Sequence, residues 1–239
     1  MKKTSISVLI LVLLLVPMLS LYSCDVGAKT IIGEIMYVKV NPYGLEDPEN
    51  AQHYYLYVRP IEKSKKTEWI LFDVDIDTKM ESVFSKNLEN MPELAIGATV
   101  EIRFEMDMEK QGFSFIQYQA NSIKLRVMDS AETIDNPNFD LVFDENYLSN
   151  CSGSSRQKTG KLIHIAEVDT PESGYIFYVD EGWSTLARYW FSSNLITDSE
   201  IIEIIENSAT GCEVEVFGRE AYPFYNRDIR EGYSVKLAK

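Results

Sequence analysis

The chain of 239 residues carries 37 acidic against 23 basic side chains, for a net charge of −14. That balance argues against a nucleic-acid partner, because a phosphate-binding surface needs clustered Lys and Arg and no such cluster is visible. The apolar fraction, 45%, is ordinary for a globular protein, and the length suits one large or two modest domains.

Lys2 and Lys3 open the chain as a positive segment, and residues 6–21 are an almost unbroken run of Val, Ile, Leu and Met. The run ends at Leu21-Tyr22-Ser23-Cys24, followed at once by polar Asp25. It sits at the upper edge of the length of a secretory signal and short of the ~20 residues of a spanning helix. Leu21, Ser23 and Cys24 resemble the lipobox of bacterial lipoprotein signal peptides; Tyr22 departs from it. The resemblance implies cleavage before Cys24, acylation of its sulfur, and an extracytoplasmic chain held at a membrane by lipid. A plain apolar anchor with an incidental cysteine is the alternative. Asp25 leans the placement toward an inner rather than an outer membrane.

Beyond residue 28 the chain reads as one pattern written twice. Gly33-Glu-Ile-Met-Tyr-Val corresponds to Gly160-Lys-Leu-Ile-His-Ile, Tyr54-Tyr-Leu-Tyr-Val58 to Tyr175-Ile-Phe-Tyr-Val179, and Trp69-Ile-Leu-Phe72 to Arg188-Tyr-Trp-Phe191. Thr78-x-x-Glu81 and Thr197-x-x-Glu200 then read as capping boxes, each opening an apolar pattern at helical spacing: Met80, Val83, Phe84 and Leu88, then Ile201, Ile204 and Ile205. After Gly97 and Gly211 come alternating strands. Val100, Ile102, Phe104, Met106 and Met108 face one way in the first; Val214 and Val216 do so in the second. Ser122 to Leu125 and Ser234 to Leu237 close the two halves.

Three strands, a helix and two strands, twice over, resembles the OB-fold, a five-stranded barrel with its helix between strands three and four. The expected architecture is mainly β: a signal segment at 1–23, a first barrel at 24–128, a linker at 129–159 and a second barrel at 160–239. Two unrelated α+β meanders, or one ten-stranded sandwich, would also fit the element order. Inside the linker, Phe139, Leu141, Val142, Phe143 and Tyr147 are too apolar for free coil and are expected to pack on a barrel or between the two.

Candidate chemistry is sparse. Asp73-Val-Asp-Ile-Asp77 begins like a calcium loop, but Thr78 and Phe84 stand where Gly and Glu are required, so an exposed strand end is expected. No Cys-x-x-Cys, phosphate loop, nucleophile elbow or zinc-protease motif occurs, and no cofactor or metal is expected. His53 and His164 lack catalytic company and read as structural or idle. With Cys24 acylated, Cys151 and Cys212 remain as a possible disulfide in an oxidising setting.

Aromatic residues of the second half are the most suggestive feature. Ligands of OB-like barrels commonly bind on the face of strands two and three and at adjoining loops. Those places hold Trp183, Tyr189, Trp190, Tyr222, Phe224 and Tyr225, with Arg219, Arg227 and Arg230 nearby. Trp183, Trp190, Tyr222, Phe224 and Tyr225 are the expected contacts for a protein or glycan partner. The first barrel is expected to act as a spacer. The reading is a non-enzymatic, lipid-anchored binding or assembly module. The alternatives are a binding protein for a glycan or cationic small ligand, and a cell-envelope hydrolase.

Overall fold

The computed structural model describes residues 29–40, 54–64, 66–75, 77–106, 118–128, 154–168, 173–182, 185–195, 199–207, 210–219 and 229–238. The first half comprises β1 (Lys29–Val40), β2 (Tyr54–Pro60), β3 (Ile70–Val74), a short β4 (Lys79–Met80), α1 (Ser82–Asn90), β5 (Thr99–Met106) and β6 (Tyr118–Leu125). The second comprises β7 (Ser155–Val168), β8 (Gly174–Asp180), β9 (Ala187–Ser192), α2 (Ser199–Glu206), β10 (Glu213–Arg219) and β11 (Ile229–Leu237). The chain is mainly β and OB-like, as the element order predicts.

In the second half, β10-β11-β9-β8-β7 form a closed barrel, with β9 and β11 parallel at the seam. The first half runs β3-β2-β1-β5-β6, and a parallel β3–β6 pairing joins its ends, with β4 added on β6. The alternation seen in sequence sets the cores. Val100, Ile102 and Phe104 are fully buried in one half, and Val214 and Val216 in the other. Phe84 and Leu88 of α1, and Ile201 and Ile204 of α2, complete these cores.

The duplication extends to irregular details. Both first strands carry a β-bulge at the same place, between Ile35 and Tyr37 in β1 and between Leu162 and His164 in β7. An extra residue at a bulge lets two successive side chains serve one face. Gly33 and Gly160 are also equivalent: a Cβ at Gly33 would meet the Arg59 carbonyl oxygen at 2.6 Å, and one at Gly160 the Asp180 oxygen at 2.5 Å.

Three expectations change. The strand pairings set Ile70 opposite Val58 and Ala187 opposite Val179, so Trp69 matches Leu186 and Phe72 matches Tyr189, two residues away from the sequence correspondence. The first capping box does not form: α1 is capped at Glu81 without a side-chain bond. Thr78 instead donates through Oγ1 to the Ala120 carbonyl (2.8 Å) and closes a turn with Asp75, seating β4 on β6. Thr197 lies outside the described residues. Third, β7 begins at Ser155, and residues 155–159, read as linker, pair with β10.

Candidate functional site

Outward-facing aromatics of the two halves meet. Tyr55, Tyr57 and Trp69 of the first barrel form one buried cluster with Ala166, Ile176, Tyr178, Leu186 and Trp190 of the second. The contact is made by the outer faces of β1–β3 and β7–β9, which follow from the sequence. Tyr54 to Val58 and Tyr175 to Val179 are apolar at successive positions, so each strand has a core face and a second apolar face to bury.

The joint is near two-fold in its chemistry. Tyr57 and Tyr178 are equivalent residues with ring centroids 6.5 Å apart, edge to face. Leu186 N–H donates to the Tyr57 hydroxyl at 2.7 Å, and Trp69 N–H donates to the Tyr178 hydroxyl at 3.2 Å. Leu186 and Trp69 are equivalent in turn, each one residue before its third strand. Burial pushes the Tyr178 phenol well up, which keeps it neutral.

At one flank, Tyr37 donates to Asp180 Oδ2 at 2.9 Å and Lys39 pairs with the other carboxylate oxygen. Burial opposes the charged form of Asp180. Lys39, the Gly182 amide and Tyr37 outweigh it and hold the carboxyl below its usual range. At the other flank His164 lies flat on Trp69, with centroids 4.0 Å apart and planes at 6°. Its Nε2 is 3.0 Å from the Thr67 carbonyl oxygen, which can only accept, so Nε2 carries the proton. Burial, with Arg59 nearby, pushes the imidazole down to about 4. His164 is therefore a neutral structural member of the joint, and not idle. Half-buried Arg188 and buried Glu68 pair at 3.5 Å, and Glu167 N–H donates to the Lys66 carbonyl at 2.8 Å.

This arrangement corrects part of the expected contact surface. Trp190 is 4% exposed and belongs to the joint, with no face left for a partner. Tyr189 points into the second barrel. Its hydroxyl bonds Glu181 and accepts from Arg230 at 2.7 Å, while Arg230 holds both Glu181 oxygens at 2.9 Å. The first barrel is half of the joint rather than a spacer. Trp183, Tyr222, Phe224 and Tyr225 lie outside the described residues. Arg188 and Tyr189 pair with Ile229 and Arg230, so β9 and β11 start at the same end of the barrel. Cys24, Cys151, His53 and the apolar linker residues 139–147 are also outside; Cys212 is a half-buried free thiol.

A second concave feature is an open cleft of about 510 Å3 on the first barrel, lined by Asp75, Asp77, Lys79, Arg103, Asn121 and Ser122 among others. Asp75 is a turn former: its Oδ1 accepts from the amides of Asp77 (3.0 Å) and Thr78 (3.1 Å). Sequence reasoning missed the joint and this cleft. The apolar second faces of residues 54–58 and 175–179 signalled the joint; the cleft depends on cross-strand register and left no linear signal.

No protein-family model matches the chain, and no curated protein does. Among solved structures, a deletion mutant of the single-stranded DNA binding protein from Thermus aquaticus is similar. The similarity covers 88% of this chain and 93% of that one, at 14% identity and a TM-score of 0.26. The exclusion of a nucleic-acid partner does not hold, because net charge sums the whole surface and does not report on any one strip of it. At that TM-score the likeness carries nothing further about this chain.

Proposed function

We propose that the chain is a non-catalytic binding or assembly module, anchored through an acylated Cys24 on the extracytoplasmic side of a membrane. The observation that carries the non-catalytic reading is where the shifted titrating groups of the described residues sit. His164, Tyr178 and Asp180 are bonded across the joint between barrels, and Tyr189 and Arg230 are bonded to Glu181 within the second barrel. Perturbed groups gathered in an open pocket would suggest catalysis; here they hold the architecture. Partner contact is assigned to Trp183, Tyr222, Phe224 and Tyr225.

Two measurements test this. Palmitate labelling in the native cell should require Cys24; labelling that survives Cys24→Ser removes the anchor. Crosslinking from the membrane fraction should recover a partner that is lost when Tyr222, Phe224 and Tyr225 are changed together to alanine. A partner retained in that variant places the contact elsewhere.

A further inference from the structure

Four strands bring two cations to one place. Thr30 of β1 pairs with Arg103 of β5, Arg103 with Ser122 of β6, and Ser122 with Lys79 of β4. Paired residues point to the same side of a sheet, and neighbouring strands lie about 5 Å apart, so Lys79 and Arg103 flank Ser122 on the outer face within about 10 Å of each other. Their neighbours Ile102, Phe104 and Ile123 face the core. The β5–β6 ladder slips between Arg103 and Phe104, leaving Asn121 as an extra residue in the cleft wall. Bulges of this kind re-aim side chains beside binding sites.

Charge singles the cleft out. Among the described residues, each other arginine has a bonded or charged partner, as in Arg59–Glu34, Arg126–Glu101, Arg188–Glu68 and Arg230–Glu181. Arg103 has none, and neither does Lys79. In a chain of net charge −14, two unneutralised cations converge on a concave surface that also holds the exposed carboxylate of Asp77. The lining offers two positive charges, amide and hydroxyl groups, the turn-forming carboxylate of Asp75 and the unengaged carboxylate of Asp77, so its charges balance.

We propose that this cleft binds a phosphodiester bearing a primary ammonium, with its phosphate oxygens on Arg103 and Lys79 and its ammonium on Asp77. Arginine's planar fork suits two phosphate oxygens, and lysine adds a point charge. A zwitterion matches a cleft of balanced charge better than a free anion does on so acidic a protein. Two sources share this chemistry: a soluble diester and an ethanolamine lipid headgroup. The lipid source, though not the site, rests on acylation of Cys24. That residue precedes Lys29 by five positions, at most about 17 Å of extended chain, and would hold this end of the barrel against the bilayer.

Glycerophosphoethanolamine titrated into the full chain tests the site. Saturable binding is expected, weakened at least tenfold by Arg103→Gln and by Lys79→Gln with the melting temperature unchanged. Asp77→Asn should weaken the zwitterion while tightening inorganic phosphate, a reversal that a general loss of folding would not give. With the Cys24→Ser chain, capture by vesicles containing phosphatidylethanolamine but not by pure phosphatidylcholine identifies the lipid source. Binding to the soluble diester alone identifies the free one. No saturable binding, affinity unchanged from the parent in either cation variant, or an oligonucleotide preferred over the zwitterion at these same residues overturns the proposal. Palmitate labelling at Cys24 is read separately, so failure of the anchor is distinguishable from failure of the site.

Discussion

Tyr57 and Tyr178 stand edge to face with centroids 6.5 Å apart, each hydroxyl accepting a backbone amide from the opposite barrel. Two equivalent residues thus exchange equivalent bonds, and the joint between the barrels is closed from both sides. Deleting one hydroxyl leaves one buried amide without its acceptor.

Tyr57→Phe and Tyr178→Phe are each expected to lower unfolding free energy by about 1–3 kcal/mol, the usual cost of orphaning a buried donor. Urea denaturation of the two single variants and the double variant measures this. Because both bonds hold one joint, the double variant should depart from additivity.

Acid should loosen the joint through His164. The folded imidazole titrates at about 4, below its ordinary value, so between roughly pH 6.5 and 4 the unfolded chain binds a proton that the folded chain does not. The stability is full above that window, falls as pH drops through it, and changes no further from this group below it. The loss amounts to as much as ~3 kcal/mol. His164→Phe keeps a ring on Trp69 and removes the titration. Its melting temperature, compared with the parent's across this range, should show a flatter slope.

Gly33→Ala and Gly160→Ala should each destabilise by about 2–4 kcal/mol. The new methyl would stand 2.6 Å or 2.5 Å from a backbone oxygen that belongs to a paired strand and has no room to withdraw. Equal losses in the two variants, read by thermal melting, would show that the duplicated glycines do equal work in both barrels.

Arg230→Met should cost about 3–5 kcal/mol, because it leaves the carboxylate of Glu181 buried, with side-chain exposure of 3%, and without its guanidinium. Adding Glu181→Gln to Arg230→Met should recover part of that loss. Chemical denaturation of both variants checks the direction.

Both barrels are legible in the sequence because each inward row, such as Val100, Ile102 and Phe104, alternates cleanly with charge. The third strand of the second half lies two residues from its sequence match. A shift of two preserves which face each side chain occupies, so the alternation of Ala187 to Ser192 cannot reveal it. The role of Thr78 is hidden because a threonine three residues before a glutamate fits both a cap and a turn, and the Ala120 carbonyl that decides between them is remote in sequence. The aromatics of β8 and β9 looked like a ligand face for a related reason. An apolar outer face has the same composition whether it meets a ligand or another barrel, and only the partner strands reveal which.

Arg59 and Asp180 occupy the same position in the two barrels and carry opposite charge, as do their cross-strand neighbours Glu34 and Lys161. If two first halves met through this face, an arginine would stand where Asp180 now receives Tyr37 and Lys39, and ammonium would oppose guanidinium. The halves have diverged into lock and key, so neither can replace the other, and residence on one polypeptide ensures that each finds its counterpart.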